Sequence, residues 1–367
     1  MPAASLRFLD VISRRRGGLT FDLARGGLLM LSMPYLAAVS ARNAYYDLWR
    51  SRARRAGVPV ISVGNITVGG TGKTPMAAWI AQRLVERHKQ VALLLRGYKA
   101  PSASRGSGSD RAMNEWRSQS DEAMVLKRLC PQAAVIINPN RVAGAERAVA
   151  GGAEAIVLDD GFQHRRLARD LDVVLIDATR PFGYGHLLPR GLLREPTRSL
   201  RRAGVIVLTR SDEVNETQRG LLVAALKRVS EDKPVVLARH RMAGFVDVKG
   251  RPVPDADPSA MRAVVFAGIA NFDSFRRGLE RRGVTVLAAY QYPDHHAYRK
   301  DEVEAFPVVA GELEANTLIT TEKDAVKLED RWPESPCPIL SPRVGIEMDE
   351  ADARVVDAAI DRALAKA

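Results

Sequence analysis

The feature that most constrains this chain is the run VPVISVGNITVGGTGKTP at residues 58–75. An apolar strand pattern ends near Val63, a glycine-rich turn follows, and Lys73 and Thr74 begin a helical pattern. Glycines let backbone N–H groups converge on phosphate oxygens at a helix N-terminus, while a lysine neutralises phosphate charge and a threonine hydroxyl can bind Mg²⁺. The run therefore predicts a nucleotide-phosphate loop between a strand and a helix.

The loop departs from the usual consensus at one position. A glycine normally stands five residues before Gly72, where this chain has Thr67, and Gly69 and Gly70 supply the flexibility instead. Glycine-rich turns are common, but GGTGKT between a strand and a helix is rarely only structural. We expect the nucleotide to bind at Thr67, Gly69, Gly70, Thr71, Gly72, Lys73 and Thr74.

The pattern around this loop predicts the fold. From residue 57 to about 240, near-continuous apolar runs alternate with helical stretches, which indicates a doubly wound α/β domain with a mostly parallel sheet. A shorter alternation at 262–367 predicts a smaller α/β domain, and 241–261 is typical of a linker or ribbon. Residues 1–56 form a separate N-terminal segment.

Composition limits the class of partner. The 367 residues are 46% hydrophobic and 27% charged, which is typical of a globular enzyme and excludes a disordered or fibrous chain. The 55 basic and 43 acidic residues give a net charge of +12, which favours nucleic acid, an acidic membrane or a phosphorylated substrate without choosing among them. Cys130 and Cys337 match neither a metal site nor a disulfide framework, so we expect a reducing compartment.

The N-terminal segment has an apolar stretch from Leu28 to Val39, interrupted by Pro34. It is shorter than the ~20 residues of a membrane span and lacks a secretory cleavage pattern. Arginines flank it on both sides and aromatic residues are interleaved, which is typical of a helix lying in the lipid headgroup region. A helix that packs on the protein's own core fits the residue types equally well.

A second strand pattern, AIVLDDGFQH, ends at Asp159 and Asp160. Carboxylates at the carboxyl end of a strand beside a phosphate loop are suitable ligands for a metal-phosphate complex, as in a Walker B element. Two solvated turn aspartates are the alternative. Arg194 and Glu195 follow the next strand in a loop bounded by Pro and Gly, where they form either a ligand contact or an exposed ion pair.

Two further motifs are ambiguous on residue type alone. Asp121 and Glu122 start a predicted helix, where carboxylates are favoured by the helix dipole. In YPDHHAY at 292–298, Asp294 fits an ordinary helix cap, whereas His295 fits a base oriented by a carboxylate.

Taken together, these motifs resemble the tetraacyldisaccharide 4'-kinase family of lipid A biosynthesis. The matching runs occur in family order over about 58–328: GNITVGGTGKTP, RGY, DE, LDDGFQHRRLARDLDVVLIDA, LLPRGLLREP, DHHAY and TTEKDAVKL. The resemblance implies transfer of the γ-phosphoryl group of ATP, with Mg²⁺, to the 4'-hydroxyl of a tetraacyl disaccharide 1-phosphate at the cytosolic face of a bacterial inner membrane. Because the acyl chains lie in a bilayer, it favours an interfacial N-terminal helix that does not span the membrane.

The resemblance also implies roles for individual residues. Asp121 matches the catalytic acid and His295 its partner in a dyad that takes the proton from the sugar hydroxyl. The implied metal ligands are Thr74, Glu122, Asp159 and Asp160, and the implied substrate residues are Tyr98, Arg141, His164, Arg194 and Glu195. We expect no nucleic-acid partner and no obligate protein partner. The segment Thr321 to Asp324 matches the family without an evident task.

Two departures and two alternatives accompany this interpretation. Ser120 replaces the usual glycine before Asp121, which bears on the backbone geometry there, and Leu95 replaces a common serine before Arg96. A P-loop GTPase or ATPase switch would also use a glycine-rich loop and paired aspartates, but no NKxD-type base motif is evident. A basic nucleic-acid-binding protein would explain the charge, but no helix-turn-helix, RNP or zinc-finger pattern is found.

Overall fold

The computed structural model describes residues 8, 10–13, 18–49, 52–97, 121–269, 271–294, 296–332 and 337–366. The chain divides into two compact units. The P-loop unit comprises the described parts of 2–101, 129–240 and 346–367, and the second unit comprises those of 102–128 and 241–345.

The helices of the described chain are α1 (Leu19–Leu48), α2 (Lys73–Glu86), α3 (Asp121–Leu129), α4 (Arg141–Ala150), α5 (Glu216–Ser230), α6 (Phe272–Glu280), α7 (Lys300–Glu312), α8 (Glu322–Leu328) and α9 (Glu350–Leu364). The strands are β1 (Val60–Asn65), β2 (Val91–Leu95), β3 (Ala134–Ile137), β4 (Ala155–Asp159), β5 (Leu171–Asp177), β6 (Val205–Thr209), β7 (Val235–Leu237), β8 (Arg239–Asp247), β9 (Pro252–Val253), β10 (Arg262–Ala267), β11 (Thr285–Gln291), β12 (Thr317–Ile319) and β13 (Ile339–Glu347).

The P-loop unit is built on a parallel sheet with the strand order β3-β2-β4-β1-β5-β6-β7. Every residue of β1, β2, β4, β5 and β6 is buried, as expected for a parallel sheet with both faces covered. Strand β1 lies between β4 and β5, and Val63 is in register with Asp159. This order brings the loop after β1 beside the carboxyl end of β4, and the predicted α/β fold is confirmed.

The C-terminal helix α9 belongs to the P-loop unit, whereas the sequence pattern grouped it with the smaller domain. Its apolar face is buried at Val356 and Ile360. On its polar side, Arg87 on the segment after α2 donates to Asp357 at 2.9 Å and to Asp361 at 2.8 Å. These contacts hold the last helix on the first sheet.

The second unit contains a mixed sheet with the order β11-β10-β12-β13-β8-β9. Strands β10, β11, β12 and β13 pair in parallel, and β8 pairs with β9 antiparallel. Residues 241–261, expected to be a linker or ribbon, thus contribute β8 and β9 to this sheet. Part of the core is aromatic, because the ring of Phe266 stacks on that of Phe306 at 3.9 Å.

Helix α1 is longer than the sequence pattern predicted. It extends over 30 residues, and by length and composition alone it could cross a membrane. The apolar stretch seen in the sequence begins only after the charged residues Asp22 and Arg25. Neither residue interrupts the helix, and their side chains form an ion pair at 2.6 Å.

The two halves of α1 have different surroundings. From Ser32 onward the helix is bonded to the P-loop unit: Ser32 donates to the carbonyl of Leu187 at 3.1 Å, and Tyr35 donates to that of Arg194 at 2.9 Å. Toward the N-terminus, Leu19 and Leu23 are about 70% exposed or more. The N-terminal part of the helix therefore presents apolar side chains outward, whereas the part from Ser32 onward is bonded to the loop that contains Leu187 and Arg194, with Met33 and Leu48 also exposed.

Candidate active site

The phosphate loop runs from the end of β1 to the start of α2. Gly72 immediately precedes the helix with a φ of 88°, a left-handed conformation that strongly favours glycine. The ring of His240 occupies the space that a Cβ at this position would need. Gly72 is therefore required by both its backbone angle and its neighbour, and the loop opens at the N-terminus of α2 as a phosphate site requires.

Side chains from the neighbouring strands fix the loop. Thr71 accepts a hydrogen bond from the Asn65 amide at 2.9 Å through its hydroxyl, and from the Thr209 hydroxyl at 3.0 Å through its carbonyl. Arg210 donates to the carbonyl of Gly70 at 3.0 Å and pairs with Asp177. At the start of the loop, Thr67 forms an isolated antiparallel β-bridge with Leu193, which belongs to the loop at residues 186–196. These bonds fix the shape of the loop.

Asp159 lies at the end of β4 and is 4% exposed. The hydroxyl of Thr74 donates a hydrogen bond to Asp159 Oδ2 at 3.2 Å, so a hydroxyl and a carboxylate lie together beside the loop. Arg141, also buried, donates to the Asp159 carbonyl at 2.9 Å. The strand register thus brings together residues that the sequence placed in separate motifs.

These oxygens fit Mg²⁺ bound together with a nucleotide. Mg²⁺ usually takes one or two protein oxygens and completes its shell with phosphates and waters. Thr74 and Asp159 supply two such donors. Among the described residues no group of three or more His, Cys, Asp and Glu side chains could hold a metal by itself. The donor set therefore suits a metal-nucleotide complex rather than a free-standing metal site.

Asp160 follows with a positive φ of 53°, and its carboxylate turns toward cations. Arg194 contacts both carboxylate oxygens, at 3.1 and 2.9 Å, and the Lys73 ammonium lies 3.8 Å from Oδ1. Burial opposes ionisation, but Lys73 and Arg194 hold the pKa of Asp160 below its usual range. The carboxylate is therefore a counter-ion for the phosphate-loop lysine, and its metal role stays a prediction.

A cationic cluster surrounds His164. Burial, together with Arg141, Arg169, Arg166 and Arg96, lowers the pKa of His164 to about 4, so the ring is neutral at physiological pH. The predicted substrate residues Arg141 and His164 thus lie in one positive environment, which suits an anionic group. Tyr98, the other early substrate candidate, lies outside the described residues.

Glu195 lies in a buried network of basic and amide side chains, and its predicted substrate contact stays a prediction. Its side chain is fully buried, and its oxygens accept bonds from Arg42 at 3.0 Å, Asn43 at 2.9 Å and Arg202 at 2.9 Å. Burial opposes its charge, but Arg202 and the hydrogen bonds hold the pKa of Glu195 below its ordinary value. The carboxylate ties α1 to the 186–196 loop, and no local sequence pattern predicts this arrangement.

In the second unit, Asp121 and Glu122 are the first residues of α3. The Asp121 carboxylate lies 3.1 Å from the ammonium of Lys327, and that of Glu122 lies 3.3 Å from the ammonium of Lys323. The two lysines are one helical turn apart on α8. His295, the predicted partner of Asp121, lies outside the described residues, so the dyad and the metal role of Glu122 stay predictions.

The segment Thr321 to Asp324 now has a structural explanation. Thr321 caps α8: its hydroxyl accepts from the Asp324 N–H at 3.1 Å and donates to the Asp324 carboxylate at 2.7 Å. The fully buried Asp324 also accepts from the Gly268 N–H at 3.0 Å and pairs with Lys327 at 3.0 Å. Sequence reasoning missed Lys327, although the T-x-x-D capping pattern and the three-residue spacing to the lysine were visible.

Comparisons with known proteins agree with this geometry. A family model described as tetraacyldisaccharide-1-P 4'-kinase matches residues 25–364. A tetraacyldisaccharide 4'-kinase of Anaeromyxobacter sp. (strain K) is 41% identical over 362 residues, which is 96% of this chain and 94% of that protein. The corresponding protein of Geobacter metallireducens is 37% identical over 92% of this chain and 97% of its own length.

A solved structure is also similar. The crystal structure of LpxK from Aquifex aeolicus in complex with ATP matches with a TM-score of 0.71 and 26% identity. The match covers 93% of this chain and 99% of that one. With the sequence matches spanning nearly the whole chain, this protein belongs to the tetraacyldisaccharide 4'-kinase family.

Proposed function

We propose that this chain transfers the γ-phosphoryl group of ATP to the 4'-hydroxyl of a tetraacyl disaccharide 1-phosphate in lipid A biosynthesis. The observation that carries the proposal is the meeting of Thr74 and Asp159 at 3.2 Å beside a preorganised phosphate loop, in a chain of this kinase family. Family membership supports the acceptor, and the loop supports the nucleotide.

The phosphate loop binds the ATP phosphates through its backbone N–H groups and Lys73. Lys73 exchanges its contact with Asp160 for phosphate oxygens, while Arg194 keeps the Asp160 carboxylate compensated. Thr74 and Asp159 would hold Mg²⁺. When bound, the ion would neutralise negative charge on the transferred phosphoryl group and on the leaving oxygen of ADP.

Asp121 accepts the proton of the attacking 4'-hydroxyl. Phosphoryl transfer asks little covalent chemistry of the protein, so the main tasks are positioning, charge stabilisation and this proton transfer. His295 is the proposed partner that orients Asp121, as the family resemblance implies. The proton moves from the sugar oxygen to the Asp121–His295 pair as the new O–P bond forms and the bond to ADP breaks.

The substrate is an anionic lipid, and two features fit it. The cationic cluster of Arg141 and the arginines around His164 supports binding of a phosphate-bearing substrate. The exposed apolar half of α1 supports docking on a membrane surface, and a helix of this kind fits a peripheral membrane-associated enzyme. We place the protein at the cytosolic face of the inner membrane, on anionic lipid.

A span by α1 is not part of the proposal. From Ser32 onward the helix is bonded to the 186–196 loop, so the 13 residues Leu19–Leu31 lie ahead of that contact. Within them, Arg25 also donates to the Val11 carbonyl at 2.9 Å. A segment of that length rises about 20 Å, short of a hydrocarbon core of about 30 Å. Docking in the interface is therefore the favoured arrangement.

Transfer of ³²P from γ-labelled ATP to a tetraacyl disaccharide 1-phosphate in mixed micelles tests the proposed function. We expect labelled lipid with the wild-type chain and loss of at least about 1,000-fold with Lys73→Ala. Lys89→Ala is the matched control, because Lys89 lies in the same unit and pairs only loosely with Glu154 at 3.9 Å. ATP hydrolysis without labelled lipid would overturn the kinase proposal.

A further inference from the structure

The side chain of Lys327 is the meeting point of a buried polar cluster in the second unit. Its ammonium contacts Asp121 Oδ2 at 3.1 Å, Asp324 Oδ1 at 3.0 Å and the His296 carbonyl at 3.2 Å. The contacts with Asp324 and His296 are hydrogen bonds, and the contact with Asp121 is an ion pair. The side chain is only 13% exposed, so these contacts are shielded from competing water and salt.

The Lys327 ammonium is held in place by a hydrogen bond to Asp324. That carboxylate is fully buried and accepts from the Gly268 N–H and the Thr321 hydroxyl through Oδ2, which leaves Oδ1 for Lys327. Gly268 follows β10, and Thr321 caps α8. Because both anchors directly flank regular elements of one unit, the position of the ammonium is set by the fold and not by solvent.

The neighbouring pair provides a contrast. Lys323, one turn earlier on α8, contacts Glu122 at 3.3 Å with side chains that are 25% and 39% exposed. Half-exposed pairs of this kind contribute little. Two lysines on the same helix thus contact adjacent carboxylates, and the pair formed by Lys327 is the more buried one.

We infer that Lys327 is a positioning residue for phosphoryl transfer: its ammonium, fixed by Asp324, holds the Asp121 carboxylate in the orientation that the acceptor hydroxyl needs. The inference rests on the proposed function, in which Asp121 takes the proton of that hydroxyl. It also gives the Thr321–Asp324 segment a task in the reaction. Lys327 acts through Asp121, since Asp121 is the group that receives the proton.

Steady-state kinetics of Lys327→Met test the inference, with Lys327→Arg and Lys323→Met as comparisons. We expect kcat to fall about 100-fold in Lys327→Met, in the range of a lost general base, while KM for ATP changes less than about threefold. Lys327→Arg should regain at least about tenfold over the Met variant because it restores the cation. Lys323→Met should stay within about threefold of the wild type.

A double variant separates positioning from a general structural role. If Lys327 acts through Asp121, then adding Lys327→Met to Asp121→Asn should lower kcat no further than Asp121→Asn alone. An additive loss would overturn the inference. A wild-type kcat in Lys327→Met together with an inactive Asp121→Asn would also overturn the inference. That result would leave the proposed function intact. A fully active Asp121→Asn would remove the role of Asp121 and the inference with it, while labelled lipid would still establish the kinase activity.

Folding of each variant is checked by its melting transition and by ATP binding. If Lys327→Met does not fold, then Thr321→Val decides, because it removes the hydroxyl that holds Asp324 and leaves Lys327 in place. We expect a loss of about tenfold in kcat that disappears in the Asp121→Asn background. An unchanged kcat in folded Thr321→Val would contradict the inference.

Discussion

The hydroxyl of Thr74 donates a hydrogen bond to the Asp159 carboxylate at 3.2 Å, between helix α2 and strand β4. Thr74 is in the first turn of α2 and Asp159 ends β4, so the bond joins the phosphate loop to the second acidic motif. The relationship follows from strand order, because β4 lies directly beside β1. It is the structural basis for placing metal and phosphate chemistry at this edge of the sheet.

Replacing Asp159 should affect the requirement for Mg²⁺. In Asp159→Asn the amide is a weaker ligand for a hard cation, so we expect kcat to fall about 100-fold and half-maximal activity to need more Mg²⁺. Initial rates over a Mg²⁺ series measure both effects. Glu154→Gln, at the opposite end of β4, is the matched control and should keep the wild-type Mg²⁺ curve. Equal curves for both variants would contradict a metal role for Asp159.

Removing Arg194 should weaken ATP binding. Arg194 holds Asp160 through both carboxylate oxygens, and without it Asp160 competes with ATP for Lys73. We expect Arg194→Gln to raise KM for ATP about tenfold with a smaller change in kcat. Arg198→Gln, an exposed arginine in the following segment, serves as the control. A lowered kcat with an unchanged KM for ATP would point to a different role for Arg194.

Glu195 should contribute to stability and not to substrate binding. Because Glu195→Gln leaves Arg42 and Arg202 without their buried counter-ion, we expect the free energy of unfolding to fall by about 3 kcal/mol at pH 7. Glu231→Gln, which breaks an exposed pair with Arg201, should cost under about 1 kcal/mol. Chemical denaturation of both variants measures the difference.

The same variant has a defined pH dependence. The pKa of folded Glu195 lies below its ordinary value of 4.5, so the stabilisation is fully present above that pH and is lost as pH falls through the folded pKa. The gap in unfolding free energy between wild type and Glu195→Gln should therefore narrow below about pH 4.5. A gap that stays constant down to pH 3 would show that the charge is not the source of the stabilisation.

The exposed half of α1 should bind membranes. Each large apolar side chain that enters lipid contributes about 1.5–3 kcal/mol, so Leu19→Gln with Leu23→Gln should weaken partitioning onto anionic phosphatidylglycerol vesicles at least about 100-fold. Leu221→Gln, at a similarly exposed leucine on α5, should leave partitioning unchanged. Vesicle sedimentation compares the three proteins. Equal loss of partitioning in Leu221→Gln would contradict a specific membrane contact by α1.

Local signals explain which parts of the fold were predictable. The phosphate loop, the parallel strands and the Asp159–Asp160 turn are each encoded within about ten consecutive residues, and parallel strands fix which ends meet. Asp159 could be placed near Thr74 for that reason. The length of α1 was underestimated because Asp22 and Arg25 interrupt an apolar run without interrupting a helix.

Long-range partners explain what was missed. The sequence pattern places Glu195 in a loop. In the structure its side chain is fully buried and its carboxylate accepts a hydrogen bond from Arg42, which is 153 positions away in the chain. The contact of Lys327 with Asp121 was missed for the same reason. It joins residues more than 200 positions apart, and no local sequence pattern connects them. The T-x-x-D pattern at Thr321 is a local signal that could have indicated a helix cap in this segment.

The most direct test of the account is the regiochemistry of the lipid product after incubation with ATP and Mg²⁺. We expect mass spectrometry and ³¹P NMR to show one added phosphate at the 4' position of the tetraacyl disaccharide 1-phosphate, and no product from the matching 4'-deoxy acceptor. Phosphorylation of the 4'-deoxy acceptor, or a phosphate at another hydroxyl, would contradict the central claim.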